Sequence, residues 1–390
     1  MTARHFRQTR AEISKSRLLS NLRALKSLQH QGEFLCPMVK CNGYGHGALS
    51  VSHWLVEDGV DALGVALVEE GLELRRGGIA NAQVLVFGVL PETAASCLQD
   101  NGLTPVVSTL EELKFLAKAC KGRSAFSIHL KIDTGMHRLG FEWASLPMVR
   151  QVLVQNPSLQ VTGICTHLAC AEDMGQAGSM SVKQLELFQQ VGGQLGLSGV
   201  GKHILNSTAL VSRKFLPDNQ KVQWANLGAR PGISLYGCFD DYQSLNAQGQ
   251  AWVDANLRPV MTLVAELVMT KRLNPGESVS YGATWTAKVP TIVGVVGLGY
   301  GDGYPRRFSN VGTVLCRGNR VPVIGRVCMD YTLIDLGEFA LDSHPKPGDE
   351  VIFFGDAEKK ISALDLAQSA GTISYEIFTG ISARVPRREV

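Results

Sequence analysis

At 390 residues the chain exceeds the size at which one hydrophobic core usually keeps growing, so two domains are expected. An apolar fraction of 45%, a charged fraction of 19% and no run of about 18 uncharged apolar residues describe an ordinary globular protein and argue against a membrane-spanning helix. The net charge of +3 is scattered rather than gathered into a block, which argues against nucleic-acid and membrane-surface partners and for a small molecule.

Positions 1 to 20, "MTARHFRQTRAEISKSRLLS", hold no apolar leader core and no A-x-A cleavage site, so no secretory signal is expected and the expected compartment is the cytoplasm. Here "HFRQTRAEI" reads as a strand, and the helix after it is expected to be capped by Ser14. The nine cysteines form no C-x-x-C pair and their number is odd, so no zinc ribbon, disulfide framework or metal site is expected.

From about residue 34 to 237, apolar runs alternate with helical patterns. "FLCPMVK" precedes "ALSVSHWLVEDG", "ALGVAL" precedes "VEEGLELRRGG", and "QVLVFG" precedes "PETAASCLQDNG". "TPVVS", "FSIHLKID", "QVTGICTHL", "KHILNS" and "NLGARPGISLYG" continue the series to eight runs. Continuous apolar runs suit parallel strands buried on both faces. A doubly wound open sheet alternates in the same way, but eight runs over about 200 residues favour a (β/α)8 TIM-type barrel.

Beyond about residue 255 the texture changes to strand-like runs such as "VMTLVAELVMTKRL", "TIVGVVGLGY" and "EVIFFG", without strong helical patterns between them. The expected organisation is a barrel over 1–245, whose residues 1–12 pair with the second domain, and a mostly β domain over 246–390.

In a barrel the carboxyl ends of the strands form the active face, and Lys40, Lys131, His167, Asn206 and Ser207 fall at such ends, with Arg230 early in the last run. "GYGHG", after Lys40, has the wrong spacing for a dinucleotide fingerprint, and no acid stands at the end of the next strand to hold a ribose. Lys40 reads either as a solvated surface lysine or as an amine presented to form a Schiff base with a carbonyl compound.

The flanks of Lys40 favour the second reading, because "MVKCNGYGHG" resembles the pyridoxal-phosphate lysine motif of bacterial alanine racemases. Eight further motifs similar to that family follow in order: "KIDTGMHRLGF", "THLACAED", "NSTA", "ARPGISLYG", "VSYGATWTA", "GYGDGYPR", "GRVCMD" and "SYEIFTGISARVPR".

The resemblance implies pyridoxal 5'-phosphate anchored on Lys40, with Tyr44, Ser207, the amides of Gly232 and Ile233, and Tyr375 around its phosphate, and with Asn206 also at the cofactor. It implies that His167 packs on the pyridine ring, although on residue type alone this reads equally as a core histidine. Arg230 would face the pyridine nitrogen, and a guanidinium, which only donates, would keep that nitrogen unprotonated. Racemisation of alanine would use two bases on opposite faces, Lys40 and Tyr281, the tyrosine coming from the second subunit of a homodimer. Arg138 and the Met329 amide would bind the substrate carboxylate, and Lys131 matches a position that is carbamylated in many relatives. Arg326, Glu172 and Tyr304 fall where the family narrows the substrate entrance, and His46 receives no role.

Overall fold

The structure, a computed structural model, describes residues 6–339, 344–355 and 361–390. Seven of the apolar runs form parallel strands paired in chain order, Ala62–Val65, Gln83–Val86, Leu103–Val107, Phe126–Lys131, Leu159–Cys165, Gly201–Leu205 and Gly228–Ala229. Every residue of Ala62–Val65 and Leu103–Val107 is buried, as strands covered on both faces require.

The remaining run, "FLCPMVK", closes the ring. The Cys36 amide donates to the Ala229 carbonyl and the Met38 amide to that of Pro231, each at 2.9 Å, while Val39 and Gly64 bond on the other side at 2.8 and 2.9 Å. Pro37 lacks an N–H, so the segment pairs through single bridges, Leu35 with Ala229 and Met38 with Gly64, rather than a continuous ladder. Sequential order with closure is barrel topology, and the doubly wound alternative, which needs a reversal of strand order, is set aside. The last strand is only two residues long, and "ISLY" within the eighth run is a 3₁₀ turn, Ile233–Tyr236.

Below the seam lies a buried ion pair. Arg213 donates from both terminal nitrogens to Glu33 at 2.8 and 2.7 Å and also to the carbonyls of Leu28 and Trp224. Glu33 stands just before the bridged segment that begins at Leu35, and Arg213 lies in the last turn of the helix Ser207–Lys214, so the pair ties the beginning of the barrel to its end.

A second recurring device joins the loops of the carboxyl rim. Glu112, third residue of the helix Leu110–Ala119, accepts from the amides of Ser108 and Thr109 before the helix and of Leu90 in the preceding loop. Glu70, third residue of the helix Val68–Arg76, repeats the pattern with Ala66, Leu67 and Cys41. Each carboxylate caps its own helix and ties down the loop of an earlier strand.

The second sheet is organised by the 13-residue strand Met261–Leu273, which pairs antiparallel with Arg10–Ile13, Thr291–Val296 and Glu350–Phe354. Arg10–Ile13 also pairs parallel to Arg387–Glu389, so the strand expected near the start is present but shorter than "HFRQTRAEI", whose His5 lies outside the described residues, as do residues 1–5 altogether. Ser14 stands before the helix Lys15–Lys26 but does not cap it; its hydroxyl meets that of Ser16 at 3.1 Å. Two short helices, Ala363–Ala370 and Ser374–Thr379, interrupt the mostly β domain, which the sequence pattern does not signal. They are too brief to show a helical period, although Ser362 and Asp365 spell a capping box.

Removing one partner of the barrel-seam pair leaves a buried charge unmatched, so Glu33→Ala is expected to cost about 3–5 kcal/mol. Lys15→Ala, which breaks the exposed Lys15–Glu57 pair, should cost under about 1 kcal/mol. Denaturant midpoints of the two variants check the contrast, and equal shifts would contradict it.

Candidate functional site

At the carboxyl ends of the strands the barrel opens into a cavity of about 450 Å³. Lys40 and Tyr44 both reach it because the chain turns left-handed directly after the first strand: Cys41, Asn42, Gly43 and Tyr44 have φ of 51, 54, 62 and 52°. An L-residue in this region costs roughly 1–2 kcal/mol, so the surroundings must over-determine the turn. Glu70 accepts from the Cys41 amide at 2.6 Å, the Asn42 side chain accepts from Ala48 at 2.9 Å, and Gly43 and Gly45 bond back to Val39 and Cys41.

His46 completes this support. Its Nδ1–H donates to the Tyr44 carbonyl at 2.8 Å, and its buried ring packs on Tyr236 at 4.4 Å and Phe378 at 4.9 Å. Among the described residues its Nε2 has no partner, and burial pushes the imidazolium down to about 3, so the ring is neutral. It is a packing post beneath Tyr44, a role that neither its type nor its spacing announced.

Arg230 is fully buried and donates to His203 Nδ1 and the His203 carbonyl at 2.7 Å, to the Thr166 carbonyl at 2.6 Å, and weakly to His167 Nδ1 at 3.4 Å. Its charge lies 5.7 Å over the Phe87 ring. Burial holds His167 well below the usual imidazole range, and the cations Arg230, Arg138, Lys131 and Lys40 add to the effect. Burial also lowers the Lys131 ammonium, with Arg138 and Arg230 acting in the same direction. Lys40, Lys131, Arg138 and Arg230 all line the cavity, and among the described residues no carboxylate does. A cavity of this charge selects anions.

One wall has the shape of a phosphate cradle. Ser207 Oγ accepts from the Gly232 amide at 3.0 Å and from Ser234, leaving its own proton to donate. A Cβ at Gly232 would lie 2.4 Å from Tyr44 Oη, so only glycine admits the hydroxyl there. Tyr375 joins from the other domain, its ring 5.8 Å from Tyr44, because Asp240 at the barrel exit accepts from the Ser374 amide at 2.9 Å. Burial raises both phenols, which therefore stay protonated as donors. Asn206 lines the cavity while its side chain caps the helix Ser207–Lys214 through the Ala209 amide. Ile233 is buried beside Gly232 without lining the cavity.

Tyr281 and Met329 are not brought to this cavity within the chain. They lie in loops of the second domain at 69% and 53% exposure: Tyr281 opens the 3₁₀ turn Tyr281–Ala283, whose neighbour Ser280 donates through Oγ to the Arg326 carbonyl, and the Met329 carbonyl accepts from the Gly301 amide. Tyr304, expected at the substrate entrance, is instead a core residue 1% exposed, packed between Phe308 and Phe353. Glu172 is exposed beside a separate cleft with Met174 and Leu216. Glu70, His129 and His203, none of them singled out in the sequence, are the supports that its motifs left out.

Residues 13–240 match the family model "Alanine racemase, N-terminal domain" and residues 260–389 match "Alanine racemase, C-terminal domain". The chain is 37% identical over 382 residues to an alanine racemase of Carboxydothermus hydrogenoformans, covering 97% of this chain and 98% of that one. Among solved structures it is similar to the alanine racemase of Streptomyces coelicolor A3(2), with a TM-score of 0.86, 33% identity and 98% of each chain covered. The Bacillus anthracis alanine racemase with bound L-Ala-P aligns with a TM-score of 0.86 at 30% identity, covering 100% of this chain and 96% of that one.

Glu70→Ala frees three amides of the rim and is expected to lower stability by about 1–3 kcal/mol, with Glu70→Gln losing less, as thermal melts would register. Stability should also depend on pH through buried histidines. His46 and His129 are pushed down to about 3 and about 4 in the fold against 6.5 when unfolded, so the unfolded chain takes up protons first as pH falls. Their contribution is whole above pH 6.5 and is lost below it, by up to about 1.4 kcal/mol per pH unit for each ring. A His46→Gln variant should show a shallower fall in unfolding free energy between pH 6.5 and 5; an unchanged slope would contradict the assignment.

Proposed function

The chain belongs to the alanine racemase family, and from that premise we propose that it interconverts L- and D-alanine with pyridoxal 5'-phosphate anchored on Lys40 and with the partner's Tyr281 as the opposing base of a cytoplasmic homodimer. The observation that carries the reading is the cavity itself, where Lys40 stands among Lys131, Arg138 and Arg230 with a donor-lined cradle on the opposite wall.

The cradle fits a phosphate. The hydroxyls of Tyr44, Ser207 and Tyr375 and the Ile233 amide would donate to its oxygens, while the Gly232 amide, which donates to Ser207 Oγ, would turn toward the phosphate or keep that hydroxyl aimed at it, and the missing Cβ at Gly232 leaves room for the Tyr44 hydroxyl. Asn206 would assist by holding the helix end beneath the cradle. The neutral His167 ring would lie against the pyridine, and Arg230 would face its nitrogen.

When bound, pyridoxal phosphate draws electrons from the substrate's Cα and so makes its proton removable. Arg230 can only donate, and it would keep the pyridine nitrogen unprotonated and the electron sink weak, which favours return of the proton to Cα over its loss elsewhere. Lys40 Nζ would take or give the proton on one face. The Tyr281 hydroxyl would do so on the other, and its 69% exposure on the single chain supports supply from a second copy, C₂ pairing serving both sites at once. Arg138, which has no ion-pair or hydrogen-bond partner among the described residues, and the amide of the partner's Met329 would hold the substrate carboxylate. Lys131, buried between two arginines, would be relieved as a carbamate, which converts a third cation into an anion that pairs with Arg138.

The purified protein incubated with L-alanine in heavy water should gain deuterium at Cα and lose optical rotation. Lys40→Ala should abolish both, and Tyr281→Phe should slow both by about 100-fold or more. Mixing the two inactive variants should restore roughly a quarter of wild-type activity, because half the dimers are mixed and one of their two sites is then intact. No recovery on mixing, with subunit exchange verified, would overturn the shared site.

A further inference from the structure

We propose that His203 and His129 are positioning residues for Arg230, two imidazoles that form a one-directional hydrogen-bond chain and fix how the guanidinium faces the pyridine nitrogen. The inference rests on the cofactor reading above. A guanidinium has donors and no acceptor, so His203 Nδ1, 2.7 Å from Arg230 Nη1, must be the unprotonated nitrogen of its ring. The His203 proton is then on Nε2, which lies 2.9 Å from His129 Nδ1 and donates to it. His129 in turn carries its own proton on Nε2. With neutral rings, no other pair of tautomers satisfies both contacts. Burial holds both rings neutral, and the charge of Arg230 works in the same direction.

The barrel is built to allow this chain. His129 lies in Phe126–Lys131 and His203 in Gly201–Leu205, two strands separated by Leu159–Cys165. Gly163 is the residue of that intervening strand in register with His129, and a Cβ there would lie 2.4 Å from His129 Cε1. The missing side chain lets one ring pass over the strand to the other. Phe34, from the first strand, covers both rings at 5.8 and 5.0 Å. The chain ends on an imidazole rather than a carboxylate, so it orients Arg230 without neutralising it. The full positive charge remains directed at the cavity, where it opposes protonation of the pyridine.

His129→Leu removes the acceptor for His203 Nε2–H, and the ring is then free to place its proton on Nδ1, where it can no longer accept from Arg230. The holoenzyme of this variant should retain its cofactor yet show a displaced visible absorption band. Conversion to the pyridoxamine form per racemisation event should rise by about tenfold, the size expected when one buried donor is left unpaired. His129→Gln, which supplies an oxygen acceptor, should restore the wild-type band and ratio. In the wild type, long-range proton–nitrogen-15 NMR should find His203 as the Nε2–H tautomer. An Nδ1–H tautomer, or a His129→Leu holoenzyme with unchanged band and partition, would overturn the inference. A wild-type protein that takes up no pyridoxal phosphate would instead count against the cofactor reading, while the tautomer still decides whether the chain exists.

Discussion

The seam between the first and last barrel strands is the constraint on which the site depends. The Ala229 amide donates to Phe34 and the Met38 amide to Pro231, so a lysine at position 40 and an arginine at 230 arrive on one rim although 189 residues of chain lie between them. Two prolines, Pro37 and Pro231, remove donors from the very ladder that must close. The closure is therefore reinforced around it: Arg213 and Glu33 lock the opposite end, and Tyr236 Oη donates to the Met38 carbonyl at 3.0 Å near the rim. Loss of register at this seam would separate Lys40 from Gly232 and so dismantle the proposed anchor and cradle together.

Within that frame the site concentrates positive charge. Four cations around one cavity repel one another, and the fold accommodates them by different means. Arg230 is bonded to carbonyls and an imidazole and lies over the face of Phe87. Lys131 is shifted toward neutrality by burial and its neighbours, and Arg138 is left to solvent and ligand. A phosphate and a carboxylate arriving together would complete the balance, which would account for a cavity whose lining, among the described residues, holds no carboxylate. The histidines follow the same logic, since a neutral imidazole can accept from Arg230 without adding a fifth charge.

Much of this was legible in the sequence because barrel strands buried on both faces advertise themselves as apolar runs, and because Lys40, Lys131, His167 and Ser207 punctuate their ends. What was not legible has a common physical character. Glu70 and His46 act on backbone groups through the turn after Lys40, and their spacing resembles that of ordinary helix and core residues. The His129–His203 pair depends on Gly163 in a strand between them, a three-dimensional coincidence that no linear pattern carries. The place of Tyr304 is not legible because a motif position does not reveal burial, and its ring fills the core between Phe308 and Phe353. Ser14 has the residue type of a cap without the geometry of one.

The path of the chain explains how the second sheet contributes. Arg10–Ile13 is laid down in that sheet before the barrel begins, between Met261–Leu273 and Arg387–Glu389, so the polypeptide enters and leaves the barrel from the same sheet. Asn21 fastens the crossing, donating to the carbonyls of Leu235 and Arg258 and accepting from the Arg258 amide. With both ends tied and Asp240 holding Ser374, the sheet cannot swing as a lid on a single hinge. Tyr375 is thereby set against Tyr44 with little freedom. Access to the cavity must then be governed by what approaches its open mouth, and a second copy presenting Tyr281 and Met329 would both narrow that mouth and complete the chemistry. A rigid union of barrel and sheet is what such an arrangement would require, because any rotation between them would move the cradle in one chain out of step with the tyrosine it would supply to the other.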